Sequence, residues 1–485
     1  MTRADVLLPL IVSALVGTGP LEAAAQTGAA MPARPGVGPA RPFNPAPRRD
    51  ATLSNGLQVV VARHPSVPKI TAVLVVKGAG LATDPSNRAG LAAFTADALL
   101  EGTTTRTSEQ LRREAFGMGG SLTAGSGQDF SIVQIRGLSD YLPDLFTLLA
   151  DVVVRPSFPE GEITALKTRQ LQMLQQQRAS PQFLSHREFR RVLFGTHPYS
   201  RVTADEEALK ALDRSTLVAF HKARYQPSSA TLIVVGDAEP DATIQAAERA
   251  FGSWKGTENR PEPLPPVQGV DGRTVVFVQR PGSVQSSISA GNLAIKRSDP
   301  RWYGLSVTNT LLGGAFNSRL VRKLREEKGY TYSPQSQFTS FGDAGFYRFA
   351  GDVRSEVTGA ALEELFKEIE RLIAGGAEEQ ELADIKQYLR GLYAIRMAAQ
   401  TQLAGELVTV YVYDLPKNYL ETYQTKVTAV SPADVKSSAQ VLLAPADSVI
   451  SIVGDWGKVK DQLKGYGNIV FVDAEGRTVP APVSD

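Results

Sequence analysis

Apolar and polar residues alternate along this chain with two different periods. Ile70-Thr71-Ala72-Val73-Leu74-Val75-Val76 alternates in the β manner and is rich in β-branched residues, which predicts a strand. After Arg88 the apolar positions Leu91, Phe94, Ala98 and Leu99 fall at helical spacing and define one helix face. Farther on, Leu362, Leu365, Phe366, Ile369, Leu372 and Ile373 repeat that spacing until Gly375-Gly376 supplies a helix stop. Strand and helix patterns that keep exchanging in this way predict an α+β fold, with helices layered on a mainly antiparallel sheet.

The pattern occurs twice. Leu57-Gln58-Val59-Val60-Val61 opens the first part, and Thr274-Val275-Val276-Phe277-Val278 opens the second. The first part closes on Ala230-Thr231-Leu232-Ile233-Val234-Val235-Gly236-Asp237 and the second on Ser448-Val449-Ile450-Ser451-Ile452-Val453-Gly454-Asp455. Each closing run follows an amphipathic helix and a proline turn, at Pro227 and at Pro445. A period of about half the chain indicates a duplicated domain, since solenoid repeats run ~20–50 residues.

Prolines mark the boundaries. Pro261, Pro263, Pro265 and Pro266 would end any helix or central strand, so residues 258–272 read as a linker between domains at 49–257 and 273–485. Residues 26–48 carry six prolines and three glycines in an unperiodic run and read as an extended tether. Before it, a short apolar stretch around Val6–Val12 leads to Ala23-Ala24-Ala25, the pattern of a signal peptide over 1–25 that directs export to the periplasm. That stretch is too short to hold the protein across a bilayer.

Composition narrows the chemistry. A net charge of +2 and no dense Lys/Arg cluster argue against a nucleic-acid partner. The absence of cysteine removes thiol catalysis, thiolate metal sites and iron–sulfur clusters. The four histidines, His64, His186, His197 and His221, are nowhere paired at ligand spacing and read as surface or packing residues.

Gly90-Leu91-Ala92-Ala93-Phe94-Thr95-Ala96-Asp97-Ala98-Leu99-Leu100-Glu101-Gly102-Thr103 resembles the signature helix of insulinase/pitrilysin-type zinc metallopeptidases, G-L-A-H-F-L-E-H-M-x-F-x-G-T. Further matches are Gly119-Gly120, Pro156-Ser157-Phe158, His197-Pro198-Tyr199 and Arg224-Tyr225-Gln226-Pro227, so the likeness runs from Asp50 to about Leu463. The resemblance implies two homologous α+β domains within the chain, in agreement with the repeat. In that family H-x-x-E-H places two imidazoles on one helix face for zinc and a Glu beside them as base toward the bound water. Here those positions hold Ala93, Ala96 and Asp97, a degenerate motif. The third ligand, a Glu on a later helix, is expected near Gln172-Met173, and neither is a carboxylate. No metal is therefore expected in this chain.

A second family run is retained. Leu311-Leu312-Gly313-Gly314-Ala315-Phe316-Asn317-Ser318-Arg319-Leu320 continues through Val321-Arg322-Lys323-Leu324-Arg325-Glu326-Glu327-Lys328-Gly329-Tyr330-Thr331-Tyr332-Ser333. Asn317 or Ser318 would cap a helix, Gly329 would end it, and Tyr330-Thr331-Tyr332 would start a strand. The resemblance assigns Arg325 and Tyr332 to a pair that reaches into a neighbouring catalytic half. A guanidinium can hold the carbonyls of an extended peptide, and a phenol can donate to a developing oxyanion.

A chain with that pair and without the zinc motif resembles the non-catalytic subunit of a heterodimer. The resemblance implies a homologous H-x-x-E-H partner that carries the zinc, a peptide substrate, and no activity of this chain alone. The competing expectation is a peptidase-like binding or scaffold protein with no proteolytic role.

Overall fold

A computed structural model describes residues 44–256 and 262–482. The expected signal peptide, most of the tether and part of the 258–272 linker lie outside the described residues.

The duplication predicted from the two Gly-Asp runs takes the form of two six-stranded sheets with matching order. In the N-terminal half the strands are β1 (Arg48–Thr52), β2 (Gln58–Arg63), β3 (Lys69–Lys77), β4 (Ser121–Ser126), β5 (Phe130–Leu138) and β6 (Ala230–Gly236), arranged β1-β2-β6-β3-β5-β4. In the C-terminal half they are β7 (Thr274–Gln279), β8 (Gln285–Ala294), β9 (Gln335–Ser340), β10 (Gly345–Arg354), β11 (Val449–Gly454) and β12 (Asn468–Val472), arranged β12-β7-β11-β8-β10-β9. The opening and closing strands of each half lie side by side and parallel, Val59 opposite Leu232 and Ile452 opposite Phe277. The strands on the far side of each sheet pair antiparallel. The fold is α+β with a duplicated domain.

The alternation in Ile70–Val76 predicts one buried and one wet face, yet all seven residues are buried, Thr71 included. Helices cover both faces of the central strands. In the N-terminal half α1 (Leu91–Ala98) packs on β4 and β5, and α2 (Glu160–Ala179) on α1. The next helix, α3 (Pro181–Phe194), leaves its own half and packs on β7, β8 and β11. The C-terminal half returns the arrangement. There α4 (Trp302–Asn309) packs on β9, followed by α5 (Glu379–Ala398), and α6 (Gln400–Val412) lies across β3 and β6. Each central sheet is thus closed by a helix from the other half, which is why its strands read as nearly unbroken apolar runs. Phe189 on α3 is fully buried among Val276, Val278, Phe346 and Val453.

Candidate functional site

The motif helix is placed by its first turn. Gly90 has φ +102°, and a Cβ there would lie 2.4 Å from the Ala204 Cβ, so only glycine fits. The Asp84 carboxylate accepts from the backbone N–H of Gly90 (2.7 Å) and of Ala92 (2.8 Å), satisfying donors at the start of α1. Burial pushes the Asp84 carboxyl up to about 6 in spite of these bonds.

Along α1, Ala93 is half-buried, Ala96 is fully buried, and Asp97 is half-buried at the end of the helix. Gln170 on α2 donates through Nε2 to the Asp97 Oδ2 at 2.6 Å. Burial raises the Asp97 carboxyl to about 6. The Gln170 bond lowers it, the Glu101 carboxylate raises it, and the Arg169 guanidinium lowers it. Arg169 itself pairs with Glu101. The residue facing the motif helix is therefore Gln170, where the sequence directs attention to Gln172-Met173. One helical turn separates Gln170 from Met173, which is 54% exposed. A glutamine at i−3 on the same face was the available signal.

Does this donor set suit zinc? One carboxylate that already accepts from a carboxamide, flanked by two alanines, offers neither the three ligands nor the nitrogen donors of such a site. Among the described residues no group of three His, Asp or Glu is disposed to hold a metal ion. The histidines make packing contacts. His221 Nε2 lies 2.8 Å from the Val153 carbonyl, and His197 Nδ1 accepts from the Tyr199 N–H at 3.1 Å. His64 meets the Ser66 hydroxyl, and His186 is packed against Phe346 and driven down to about 3 by burial.

The second candidate cluster lies in the C-terminal half. Val321–Glu327 forms a π-helix anchored by the buried Leu320, Val321 and Leu324. Arg319 fixes it from the side, its guanidinium forking onto the Glu381 carboxylate of α5 at 2.9 and 2.6 Å. Neither Asn317 nor Ser318 caps it: the helix has no side-chain cap, and the buried Ser318 hydroxyl makes no hydrogen bond. Gly329 turns the chain with φ +61°, as its position past the helix end predicts. The following residues do not start the strand. Thr331 makes only an isolated bridge to Val353, and β9 begins at Gln335, which leaves Tyr332 in a loop.

That loop brings Arg325 and Tyr332 together. The Arg325 Cζ stands 4.7 Å from the Tyr332 ring centroid and 4.9 Å from that of Phe316. Tyr332 is 78% and Phe316 71% exposed, so the guanidinium is sandwiched between two rings that face solvent. Among the described residues no carboxylate pairs with Arg325. Stacking contributes ~0.5–1 kcal/mol at an exposed site, enough to orient the fork and leave its edge free. Phe316 went unnoticed in the sequence because nothing local tells an exposed ring from a buried one. No hydrogen bond or ring contact joins this cluster to α1 among the described residues.

Residues 58–205 match the family described as insulinase (peptidase family M16), and residues 211–389 match the peptidase M16 inactive domain. The chain belongs to the insulinase (M16) family. Among similar M16 proteins is one from Mycobacterium tuberculosis called an uncharacterized zinc protease, 28% identical over 74% of this chain and 82% of its own. The uncharacterized zinc protease YmxG of Bacillus subtilis is 23% identical over 70% of this chain and 82% of its own. Of solved structures, a peptidase M16 inactive domain from Pseudomonas fluorescens superposes with a TM-score of 0.79 at 26% identity, covering 84% of this chain and 98% of that one. The Escherichia coli periplasmic protease PqqL has the same fold, with a TM-score of 0.72 at 16% identity over 88% of this chain and 48% of its own. Within the M16 family this chain is a peptidase-like member without the catalytic residues of the motif helix.

Proposed function

We propose that this protein is the non-catalytic, substrate-binding subunit of a heterodimeric zinc metalloendopeptidase, and that it presents Arg325 and Tyr332 to peptide held in the active site of a homologous H-x-x-E-H subunit. The observation that carries the reading is the solvent-facing Phe316–Arg325–Tyr332 stack, a fork with no counter-ion among the described residues. Arg325 would hold backbone carbonyls of an extended peptide, and the Tyr332 hydroxyl would donate to the scissile carbonyl oxygen as it gains charge. The zinc belongs to the partner; Ala93, Ala96, Asp97 and Gln170 do not suit one here.

Two edge strands favour a peptide as ligand. β4 (Ser-Leu-Thr-Ala-Gly-Ser) and β9 (Gln-Ser-Gln-Phe-Thr-Ser) each end a sheet, so one side of each carries unpaired backbone groups that an extended segment can meet. The domain limits 49–257 and 273–485 belong to this proposal, as does a periplasmic location. The location is favoured by the A-x-A pattern before Gln26 and by the fold shared with a periplasmic protease. Among the described residues no helix is long and apolar enough to cross a membrane.

The test is cleavage of a quenched fluorescent peptide by this protein alone, by the H-x-x-E-H homologue of the same cell alone, and by the mixture. Turnover only in the mixture, with no stoichiometric zinc in the isolated chain, is the expected result. Equal activity of the homologue with and without this chain would instead make it a binding or scaffold protein.

A further inference from the structure

The C-terminal half contains a cavity that the peptide-clamping reading does not use. It has a volume of about 520 Å³ and lies between α4, β9, α5 and α6. In position it corresponds to the motif helix of the other half, since α4 packs on edge strand β9 as α1 packs on edge strand β4. A cavity of this size falls in the range that encloses small ligands.

Its polar groups are unusual because they lack each other's company. Arg297 is only 7% exposed, yet among the described residues its guanidinium makes a single hydrogen bond, from Nη2 to the Tyr419 hydroxyl at 2.6 Å. The Trp302 ring lies under it, 3.9 Å from Cζ to the centroid. Among the described residues no carboxylate pairs with it. Glu406, on α6, lines the same cavity and has neither a hydrogen bond nor an ion pair among the described residues. Burial raises its carboxyl, while Arg297 and Arg396 pull it down from a distance. A buried guanidinium that makes one hydrogen bond and a half-buried carboxyl that makes none among the described residues leave charge only partly compensated, which is costly. Two arrangements would relieve the cost. One is direct pairing, which the fold does not make; the other is a ligand with both charges.

We propose that this cavity binds a small zwitterion, a free α-amino acid or dipeptide with an apolar side chain, through its carboxylate on Arg297 and its ammonium on Glu406. The side chain would lie against Phe338, Tyr388 and Leu392, which supply apolar and aromatic wall without competing charge. A bare anion would satisfy Arg297 and leave Glu406 unmet; a bare amine would do the reverse. The specificity therefore resides in the pair. The inference does not rest on Arg325 or Tyr332 and can fail while the clamp reading stands.

The experiment is isothermal titration of the full chain with L-phenylalanine and with L-leucyl-L-phenylalanine. In parallel, the emission of Trp302, one of three tryptophans, would be followed. Saturable binding at millimolar or lower concentration is expected. N-acetyl-L-phenylalanine and L-phenylalaninamide should each bind about tenfold or more weakly, because each removes one charge–charge hydrogen bond. Glu406→Gln should weaken L-phenylalanine about tenfold and leave N-acetyl-L-phenylalanine unaffected, with unchanged circular dichroism. Whichever of the amino acid and the dipeptide binds more tightly supports the zwitterion site and sets its length. No saturable binding of either, or N-acetyl-L-phenylalanine binding as tightly as L-phenylalanine, overturns the proposal. Both of those outcomes are read on the unaltered protein, so they do not depend on a variant that folds.

Discussion

The motif helix Leu91–Ala98 and the segment Val321–Tyr332 sit in the two halves of a duplicated domain and have been treated oppositely. On the motif helix the positions that would present donors hold Ala93 and Ala96, and the one remaining acid is closed by a hydrogen bond from Gln170. On the other segment a guanidinium is held open to solvent between two exposed rings. The first region closes its remaining acid internally; the second leaves a guanidinium without a carboxylate partner among the described residues. An acceptor-poor motif helix and an open guanidinium within one fold teach that the scaffold forms without the residues of the H-x-x-E-H motif. Stability here comes from sheets and covering helices, and the site is an ornament on them.

The comparison can be broken or sharpened by substitution, beginning with the scaffold that both regions share. Phe189→Ala empties a buried site where the N-terminal half covers the second sheet, and should cost about 3–5 kcal/mol in urea unfolding. Because the covering helices are exchanged, both halves should lose stability in one transition; two separate transitions would show that the halves fold independently. Arg325→Ala comes next. It should lower peptide turnover of the mixed subunits about hundredfold, some 3 kcal/mol of transition-state stabilisation, and shift unfolding by no more than ~0.5 kcal/mol. Tyr332→Phe, which keeps the ring over the guanidinium and removes only the hydroxyl, should cost about tenfold in turnover. Unchanged turnover in both variants would leave the open cluster without a role in cleavage.

The closed site should respond in the opposite sense. Asp97 has its carboxyl raised to about 6 in the folded protein against 3.8 for the free side chain. The folded state therefore holds the proton more tightly, and stability from this group falls as pH rises from about 4 to 6. Asp97→Asn should remove that fall and raise stability at pH 7 by about 1–2 kcal/mol, measured as the midpoint of thermal unfolding against pH. A loss of stability at pH 7 would show that the carboxylate is held for a purpose. Smallest of all, Arg169→Gln, which removes the half-exposed partner of Glu101, should change stability by less than ~1 kcal/mol.

Much of the fold was legible in the sequence, because the two Gly-Asp runs and their preceding proline turns are local signals of the same strand. The alanines of the motif helix were equally legible, since a missing donor atom is a property of the residue type. Three features were not. The identity of Gln170 as the residue opposite Asp97 depends on the rotation of α2 against α1, and a spacing count that points to Gln172-Met173 misses it by up to a turn. The position of Tyr332 in a loop depends on where β10 finds its partner strand, which aromatic β propensity does not specify. Phe316 meets Arg325 from the loop before the π-helix, while Gly329 turns the chain so that Tyr332 meets the same guanidinium from the other end.

The sequence alone determined that this protein has a duplicated α+β fold, no thiol chemistry and no H-x-x-E-H motif, because periodicity and residue type act locally. Tertiary structure alone decided which charges are paired, which rings are exposed, and which half covers which sheet. Those depend on contacts between residues hundreds of positions apart, such as Phe189 against Val453, and no local pattern encodes the distance between them.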